Sequence, residues 1–272
     1  MNKKTEKKFT IVHLYPEEMN IYGDLGNILT LKARLEQRGF LVEVKKIGLG
    51  AKNSAEFSHG DIYFMGGGQD DDMYKVFDDL VMNKKEFIEK EIASNKVFFL
   101  ICGAFQLFGE YFLDSDGRQM KGLGILPITT KAPSDQIKDR CVGNIISQLD
   151  DLVLEEMESF KIPLHSKFLV GFENHSGQTF ITQNKKGEIK PMGKVIYGKG
   201  NNAVEKIEGA RLHNIFGSYL HGSVLPKNPH FTDLLLNLSL KTQQGKAFQP
   251  LSELDDEIEW LAHKRVVERI LS

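Results

Sequence analysis

One cysteine of this chain lies where a side chain can act as a nucleophile. Residues 98–107 read FFLICGAFQL, so Cys102 ends a continuous apolar run and is followed at once by Gly103. A buried strand that turns sharply into a helix projects the residue at the turn out of the sheet, beside unpaired backbone N–H groups. Such groups favour the thiolate, which is the attacking form of cysteine. The pattern therefore predicts a catalytic Cys102, although an arbitrary free cysteine is more often a small core residue.

A second chemical element is a run of glycines. Residues 61–70 read DIYFMGGGQD, which predicts a strand that ends in glycine. The carboxyl ends of parallel strands meet at one sheet edge, so we expect this loop beside Cys102. The N–H groups of Gly67 or Gly68, together with that of Gly103, are suited to hold a developing oxyanion. A plain tight turn is the alternative. A phosphate loop is disfavoured, because acidic residues follow the glycines instead of Lys-Ser/Thr.

A cysteine nucleophile also needs a base, usually a histidine from elsewhere in the chain. Two of the eight histidines end predicted strands close to glycine: His221 in GSYLHG and His175 in FENHSG. From these residues alone either histidine can be the base, and a lone histidine is more often structural.

The elements that must position these residues alternate between strand and helix in the first half. This order predicts an α/β fold with an open, mostly parallel twisted sheet and helices on both faces. The predicted strands are residues 9–15, 41–47, 61–65 and 97–101, and the predicted helices are residues 26–38, 73–93 and 103–111.

The second half is richer in strands. We predict strands at residues 141–149, 168–172, 178–181, 194–197 and 212–220, followed by a helix at 231–240 and a linker at 241–250. An amphipathic helix is predicted over residues 252–271. The chain is therefore divided into a main domain, residues 1–245, and a C-terminal helical extension, residues 246–272.

Composition excludes several classes of function. With 272 residues, 41% apolar and 26% charged, the chain is long and apolar enough for a sizeable core. A net charge of −2 gives no electrostatic reason to expect nucleic acid or an anionic membrane. Two cysteines suit a reducing compartment. No secretory signal and no apolar run of roughly 18 residues are visible. We expect a cytoplasmic protein without a membrane span or a metal site.

Several motifs resemble those of one enzyme family. Residues 102–109, CGAFQLFG, resemble the nucleophile motif of the class I (triad) glutamine amidotransferases, in particular their cobyric acid synthase-like branch. The segments around His221 and His175 are similar to two further motifs of that branch, which implies that His221 is the base. Residues 14–27, LYPEEMNIYGDLGN, resemble the start of the glutaminase subunits of lipid II isoglutaminyl synthases. The resemblance runs from about residue 10 to residue 240 and implies a flavodoxin-like fold.

The resemblance also implies a reaction. L-Glutamine is deaminated through a thioester on Cys102, His221 moves the protons, and Gly67 or Gly68 and Gly103 hold the oxyanion. Ammonia then passes to a Mur ligase-like (MurT-like) synthetase subunit that amidates the α-carboxyl of D-glutamate in the lipid II stem peptide. The expected assembly is a heterodimer in peptidoglycan biosynthesis. No cofactor is expected in this chain, whereas ATP and Mg²⁺ are expected on the partner.

Four residues are the candidate contacts to glutamine: Gln106, Arg140, Glu173 and His175. A guanidinium such as that of Arg140 suits the α-carboxylate through a bidentate pair. The competing interpretation of Arg140 is an ordinary surface charge.

One position departs from the family pattern. Many class I members carry a glutamate two residues after the base histidine, where this chain has Ser223. The candidates to orient His221 are a backbone carbonyl, Glu173 or an acid of the partner, and this predicts a weak glutaminase when the chain is alone. Three other functions stay open: a related amidotransferase with a different acceptor, a cysteine peptidase of the same fold, and a non-catalytic binding module.

Overall fold

The computed structural model describes residues 7–51, 59–113, 117–133, 140–182 and 188–272. The strands are β1 (Lys7–Leu14), β2 (Phe40–Ile47), β3 (Ile62–Met65), β4 (Val97–Ile101), β5 (Tyr111–Leu113), β6 (Gln119–Lys121), β7 (Ile128–Lys131), β8 (Cys141–Leu149), β9 (Phe168–His175), β10 (Gln178–Ile181), β11 (Gly193–Tyr197), β12 (Ile207–Glu208), β13 (Ala210–Leu212), β14 (Ile215–Ser218) and β15 (Leu220–His221). The helices are α1 (Leu25–Glu36), α2 (Asp70–Asp79), α3 (Lys85–Ala93), α4 (Gly103–Leu107), α5 (Asp151–Ser159), α6 (Pro229–Gln244) and α7 (Glu257–Leu271).

The central sheet has six strands in the order β13-β14-β4-β3-β1-β2. All its neighbouring pairs are parallel except β13 and β14. Every side chain of β3 and β4 is buried, as expected for strands covered on both faces. The predicted α/β fold with an open, mostly parallel sheet is confirmed. The carboxyl ends of β1, β3, β4 and β14 meet at one edge, where Leu14 pairs with Met65 and Ser218 with Ile101.

Two smaller sheets of mainly antiparallel strands are formed by segments that follow α4 in the chain. Their orders are β10-β7-β5-β6 and β12-β11-β8-β9-β15. The segment predicted as one strand over residues 212–220 is divided between β13, β14 and β15, with a left-handed turn at His213 (φ +53°). This division matters for function, because it moves His221 out of the central sheet and onto β9 of the five-stranded sheet.

Two predicted helices differ from the observed ones. The helix predicted over residues 103–111 ends at Leu107, since the N–H groups of residues 123–126 donate to the carbonyls of residues 107–109 and take the place of a further turn. The helix predicted over residues 73–93 begins at Asp70 and contains a π-helical turn, Leu80–Lys84. That turn buries Lys84 against the carboxylate of Asp79.

The last helix, α7, begins at Glu257 and not at residue 252. The preceding segment is held by side chains of the main body. Asn237 accepts from the Leu251 N–H at 2.9 Å, and Arg34 donates to both carboxylate oxygens of Asp256. Arg34 also forms two hydrogen bonds with Asp233 of α6. The C-terminal segment is thus tied to α1 and α6 by buried charges. No helix within the described ranges is long and apolar enough to cross a membrane.

Candidate active site

Cys102 forms the turn between β4 and α4. Its backbone has φ +52° and ψ −105°, in the left-handed half of conformational space that residues other than glycine rarely enter. The strain is held by the surrounding sheet, where the Cys102 N–H donates to the carbonyl of Ser218 at 2.8 Å. Only 7% of Cys102 is exposed, and it lines a cavity of about 470 Å³. This is the strained elbow at which a nucleophile is presented from a buried strand.

His221 reaches the same edge from β15, the strand that follows β14. It lies three positions after Ser218, whose carbonyl holds the Cys102 turn. The His221 ring is fully buried, and the Tyr22 ring meets it edge-on with the ring centroids 5.0 Å apart. Its Nε2 atom has no hydrogen-bond partner among the residues the structure describes.

The acid beside His221 is Asp24, the residue just before α1, which the sequence analysis missed. Asp24 is fully buried, and its Oδ1 lies 3.3 Å from His221 Nδ1. A carboxylate only accepts, so Nδ1 is the donor and Nε2 faces away from Asp24. This is the orientation that a histidine base needs. A usable signal was present: Asp24 lies shortly after β1, whose carboxyl end shares the edge with β3 and β4.

The charge state of His221 follows from these neighbours. Burial by itself disfavours the imidazolium. The negative charge of a Cys102 thiolate, the hydrogen bond to Asp24 and the charge of Asp24 outweigh it and raise the pKa of His221 to about 10. At neutral pH His221 therefore carries a proton that it can donate to a leaving group.

Glu173, predicted as a glutamine contact and as a candidate to orient His221, is occupied elsewhere. Its two carboxylate oxygens accept from the N–H groups of Lys199 and Gly200, each at 2.8 Å. It does not line the cavity around Cys102. Both assignments to Glu173 are therefore corrected, because its carboxylate holds the turn after β11 and does not face the site.

The N–H groups of Gly67 and Gly68 in the glycine loop have different surroundings. Gly67 donates its N–H to Asp24 Oδ2 at 2.8 Å, so this group is not directed at an oxyanion, and its predicted role is revised. Gly68 and Gly103 lie next to each other: a Cβ on Gly103 would be 3.1 Å from Gly68 N. Within the described ranges neither N–H has an acceptor. These two amides are the pair that geometry leaves for a developing negative charge.

Three of the predicted substrate contacts line the cavity. Gln106 is anchored by a 2.9 Å hydrogen bond from its Nε2 to the Tyr219 hydroxyl. His175 stacks on the Tyr219 ring at 3.7 Å, and its Nδ1 lies 2.8 Å from the Gly177 carbonyl. Burial lowers the pKa of His175 to about 4 despite that bond, so this histidine is neutral. Its Nε2 has no partner in the described part of the chain.

Arg140 lies at the mouth of the cavity, where its Nε donates to Asn174 Oδ1 at 2.7 Å. Cys141, the next residue, points elsewhere: it is fully buried in β8 and receives a weak hydrogen bond from Gln178 at 3.7 Å. A larger cavity of about 810 Å³ lies beside Trp260 and His263, and none of the predicted site residues is among those that line it. No group of three or more potential metal ligands occurs in the described ranges.

Comparison with known proteins gives the family by sequence, and a solved structure shares the fold. The family model for the CobB/CobQ-like glutamine amidotransferase domain matches residues 10–229. The subunit GatD of a lipid II isoglutaminyl synthase (glutamine-hydrolyzing) from Streptococcus pneumoniae is 37% identical over 242 residues, 89% of this chain and 84% of the relative. A GatD subunit from Staphylococcus aureus is 32% identical over 262 residues, 96% of either chain. A solved glutamine amidotransferase shares the fold, with a TM-score of 0.54 at 11% identity over 84% of this chain and 98% of that one.

Proposed function

The chain belongs to the CobB/CobQ-like glutamine amidotransferase family, and from this premise we propose that it hydrolyses L-glutamine through a thioester on Cys102 and passes the ammonia to a separate synthetase subunit. The observation that carries the proposal is the arrangement of Cys102, His221 and Asp24 at one edge of the sheet, with Cys102 lining an open cavity.

The steps follow from the positions of the groups. The Cys102 sulfur attacks the amide carbon of glutamine, and the carbonyl oxygen takes up the electron pair between the N–H groups of Gly68 and Gly103. When the intermediate collapses, the C–N bond breaks and His221 gives its proton to the departing nitrogen, which leaves as ammonia. Water, with His221 now as base, then cleaves the thioester and releases glutamate.

Substrate binding is assigned to the cavity wall. The Arg140 guanidinium at the mouth suits the α-carboxylate of glutamine, and the Asn174 amide oxygen holds it in place. Gln106 and the neutral His175 border the inner part of the cavity, where the side-chain amide must lie to reach Cys102. The relatives' names support glutamine as the substrate.

The acceptor is proposed from the relatives. Two proteins that align with nearly the whole chain are subunits of lipid II isoglutaminyl synthases. We infer that the ammonia is used by a Mur ligase-like (MurT-like) subunit, which binds ATP and Mg²⁺ and amidates the α-carboxyl of D-glutamate in the lipid II stem peptide. This step belongs to peptidoglycan biosynthesis in the cytoplasm.

Ammonia release from L-glutamine tests the first half of this function, with Cys102→Ala as the inactive control. The serine at position 223 predicted that the chain alone is a weak glutaminase. Because Asp24 supplies an acid for His221, we now expect the chain alone to release ammonia. Reconstitution with the synthetase subunit, ATP and lipid II tests the second half by detecting the new amide on the stem peptide. Hydrolysis without amidation would indicate a different acceptor, and no hydrolysis with or without the partner would indicate a non-catalytic module.

A further inference from the structure

Two loops face each other beside the base. One loop precedes α1 and contains the acid Asp24, and the other begins directly after His221, the last residue of β15, and contains Ser223. Ser223 Oγ donates to the Gly23 carbonyl at 2.5 Å, and the Leu225 N–H donates to Asn27 Oδ1 at 3.0 Å. Both bonds join residues that lie within four positions of Asp24 or His221 in the chain, so they fasten the two loops next to the contact between the acid and the base.

The contact is too close for a side chain at position 26. A Cβ on Gly26 would lie 2.0 Å from Ser223 Oγ and 2.7 Å from its Cβ. Ser223 has φ +50°, and Gly23, whose carbonyl accepts its hydroxyl, has φ +82°. The start of α1 is therefore in direct contact with the Ser223 side chain. Serine at this position and an acid at position 24 are two parts of one arrangement.

We propose that Ser223 is a positioning residue for the reaction: its hydroxyl fastens the Asp24 loop to the His221 loop, so that the acid reaches the base from the β1–α1 connection. Ser223 acts through Asp24 and touches neither substrate nor sulfur. The inference rests on the proposed function, since it assigns a task within that catalytic site.

Asp24 also connects the Ser223 contact to the glycine loop that contains Gly67 and Gly68. One carboxylate oxygen of Asp24 faces His221, and the other accepts the Gly67 N–H at 2.8 Å. A shift of the Asp24 loop therefore changes the orientation of the base and the position of Gly67, the neighbour of Gly68, at the same time. Loosening Ser223 is expected to lower the turnover number more than it changes the affinity for glutamine.

The test compares variants that loosen the contact from either side. Ser223→Ala and Ser223→Gly both lose the hydroxyl, and the glycine variant tolerates the positive φ. Gly26→Ala keeps the serine at position 223 but places a methyl group where the Ser223 hydroxyl lies, which forces the two loops apart. We expect each to lower kcat for glutamine by about 10-fold, with KM nearly unchanged. This loss is smaller than the roughly 10²–10⁴-fold loss expected when a base is removed, because His221 is still present. Ser159→Ala, which removes a similar 2.7 Å hydroxyl-to-carbonyl bond on α5, is the control that keeps full turnover.

A second readout does not need turnover. The imidazole nitrogen shifts of His221, followed by NMR against pH, report its pKa directly, and we expect that pKa to fall in all three variants as Asp24 moves away. If glutamine is not hydrolysed even by the unmodified chain with its partner, the proposed function fails while this measurement still decides the role of Ser223.

Two results would overturn the role of Ser223. One is a His221 pKa and a kcat that are both unchanged in Ser223→Gly. The hydrogen bond from the Ser223 hydroxyl would then have no effect on the base. The other comes from Asp24→Asn combined with Ser223→Glu. We expect no recovery over Asp24→Asn alone, because the start of α1 is packed against the side chain at position 223. Recovery would show that position 223 can supply the acid itself.

Discussion

His221 receives its carboxylate from Asp24, a residue 197 positions earlier in the chain, with Nδ1 3.3 Å from Oδ1. In the proposed site the acid lies in the connection between β1 and α1, the nucleophile follows β4, and the base lies on β15, just after β14. The parallel strands β1, β4 and β14 place their carboxyl ends together, and this common edge brings the three distant residues to one site.

Replacing Asp24 by asparagine keeps its size and removes its charge. In the proposed mechanism the imidazolium of His221 protonates the leaving nitrogen, and its raised pKa of about 10 keeps that proton in place at neutral and moderately alkaline pH. Turnover is lost as the pH rises through this pKa. Without the Asp24 charge the pKa falls, so we expect the alkaline limb of kcat/KM for glutamine to move to lower pH and kcat to drop at least about 10-fold. Asp72→Asn on the exposed start of α2 is the control, and an unshifted alkaline limb would count against Asp24.

The two histidines of the site should respond differently to removal. His221→Ala is expected to cut glutamine turnover by about 10²–10⁴-fold, because the proton donor and base is lost. His175 is neutral and stacked on Tyr219, so His175→Ala should act mainly through KM or stability. Steady-state kinetics, with thermal unfolding to separate stability, makes the comparison. The assignment of the base would be reversed if His175→Ala abolished turnover and His221→Ala did not.

The two cysteines should differ in reactivity. Cys102 lines the open cavity, whereas Cys141 is fully buried in β8. We expect a glutamine-analogue electrophile to label Cys102 alone, as read by mass spectrometry of peptides from the folded protein. Labelling should disappear in Cys102→Ala and persist in Cys141→Ala. Preferential modification of Cys141 is the result that would exclude Cys102 as the nucleophile.

Arg34 should be a large contributor to stability through the C-terminal segment. Its side chain is 6% exposed and pairs with Asp233 and Asp256. Arg34→Ala removes the partner of Asp256 and one of the two arginines that pair with Asp233, the other being Arg38, so we expect the free energy of unfolding to fall by about 3 kcal/mol. Lys32→Ala, which removes an exposed pair with Glu36 on the same helix, should cost less than about 0.5 kcal/mol. Urea denaturation of both variants gives the comparison, and equal losses would mean that the buried network contributes little.

The sequence by itself determined the features that depend on neighbouring residues. The continuous apolar runs of β3 and β4 predicted buried parallel strands, because burial on both faces removes the usual alternation. The strand–cysteine–glycine pattern pointed to a turn at Cys102, and the GSYLHG segment pointed to His221. These signals are local, since each lies within about ten residues of chain.

Other features were decided only in the tertiary structure. The division of residues 212–220 into β13, β14 and β15 depends on which strand each piece pairs with. The residue pattern of one strand does not determine the strand that it pairs with. Glu173 is close to His221 in the sheet register, yet its carboxylate accepts hydrogen bonds from the backbone N–H groups of Lys199 and Gly200. Asp24 reaches His221 because the loop before α1 packs directly against the loop that contains Ser223, where Gly26 has no room for a side chain. That contact joins segments about 200 residues apart, and close packing between distant segments leaves no periodic trace in the sequence.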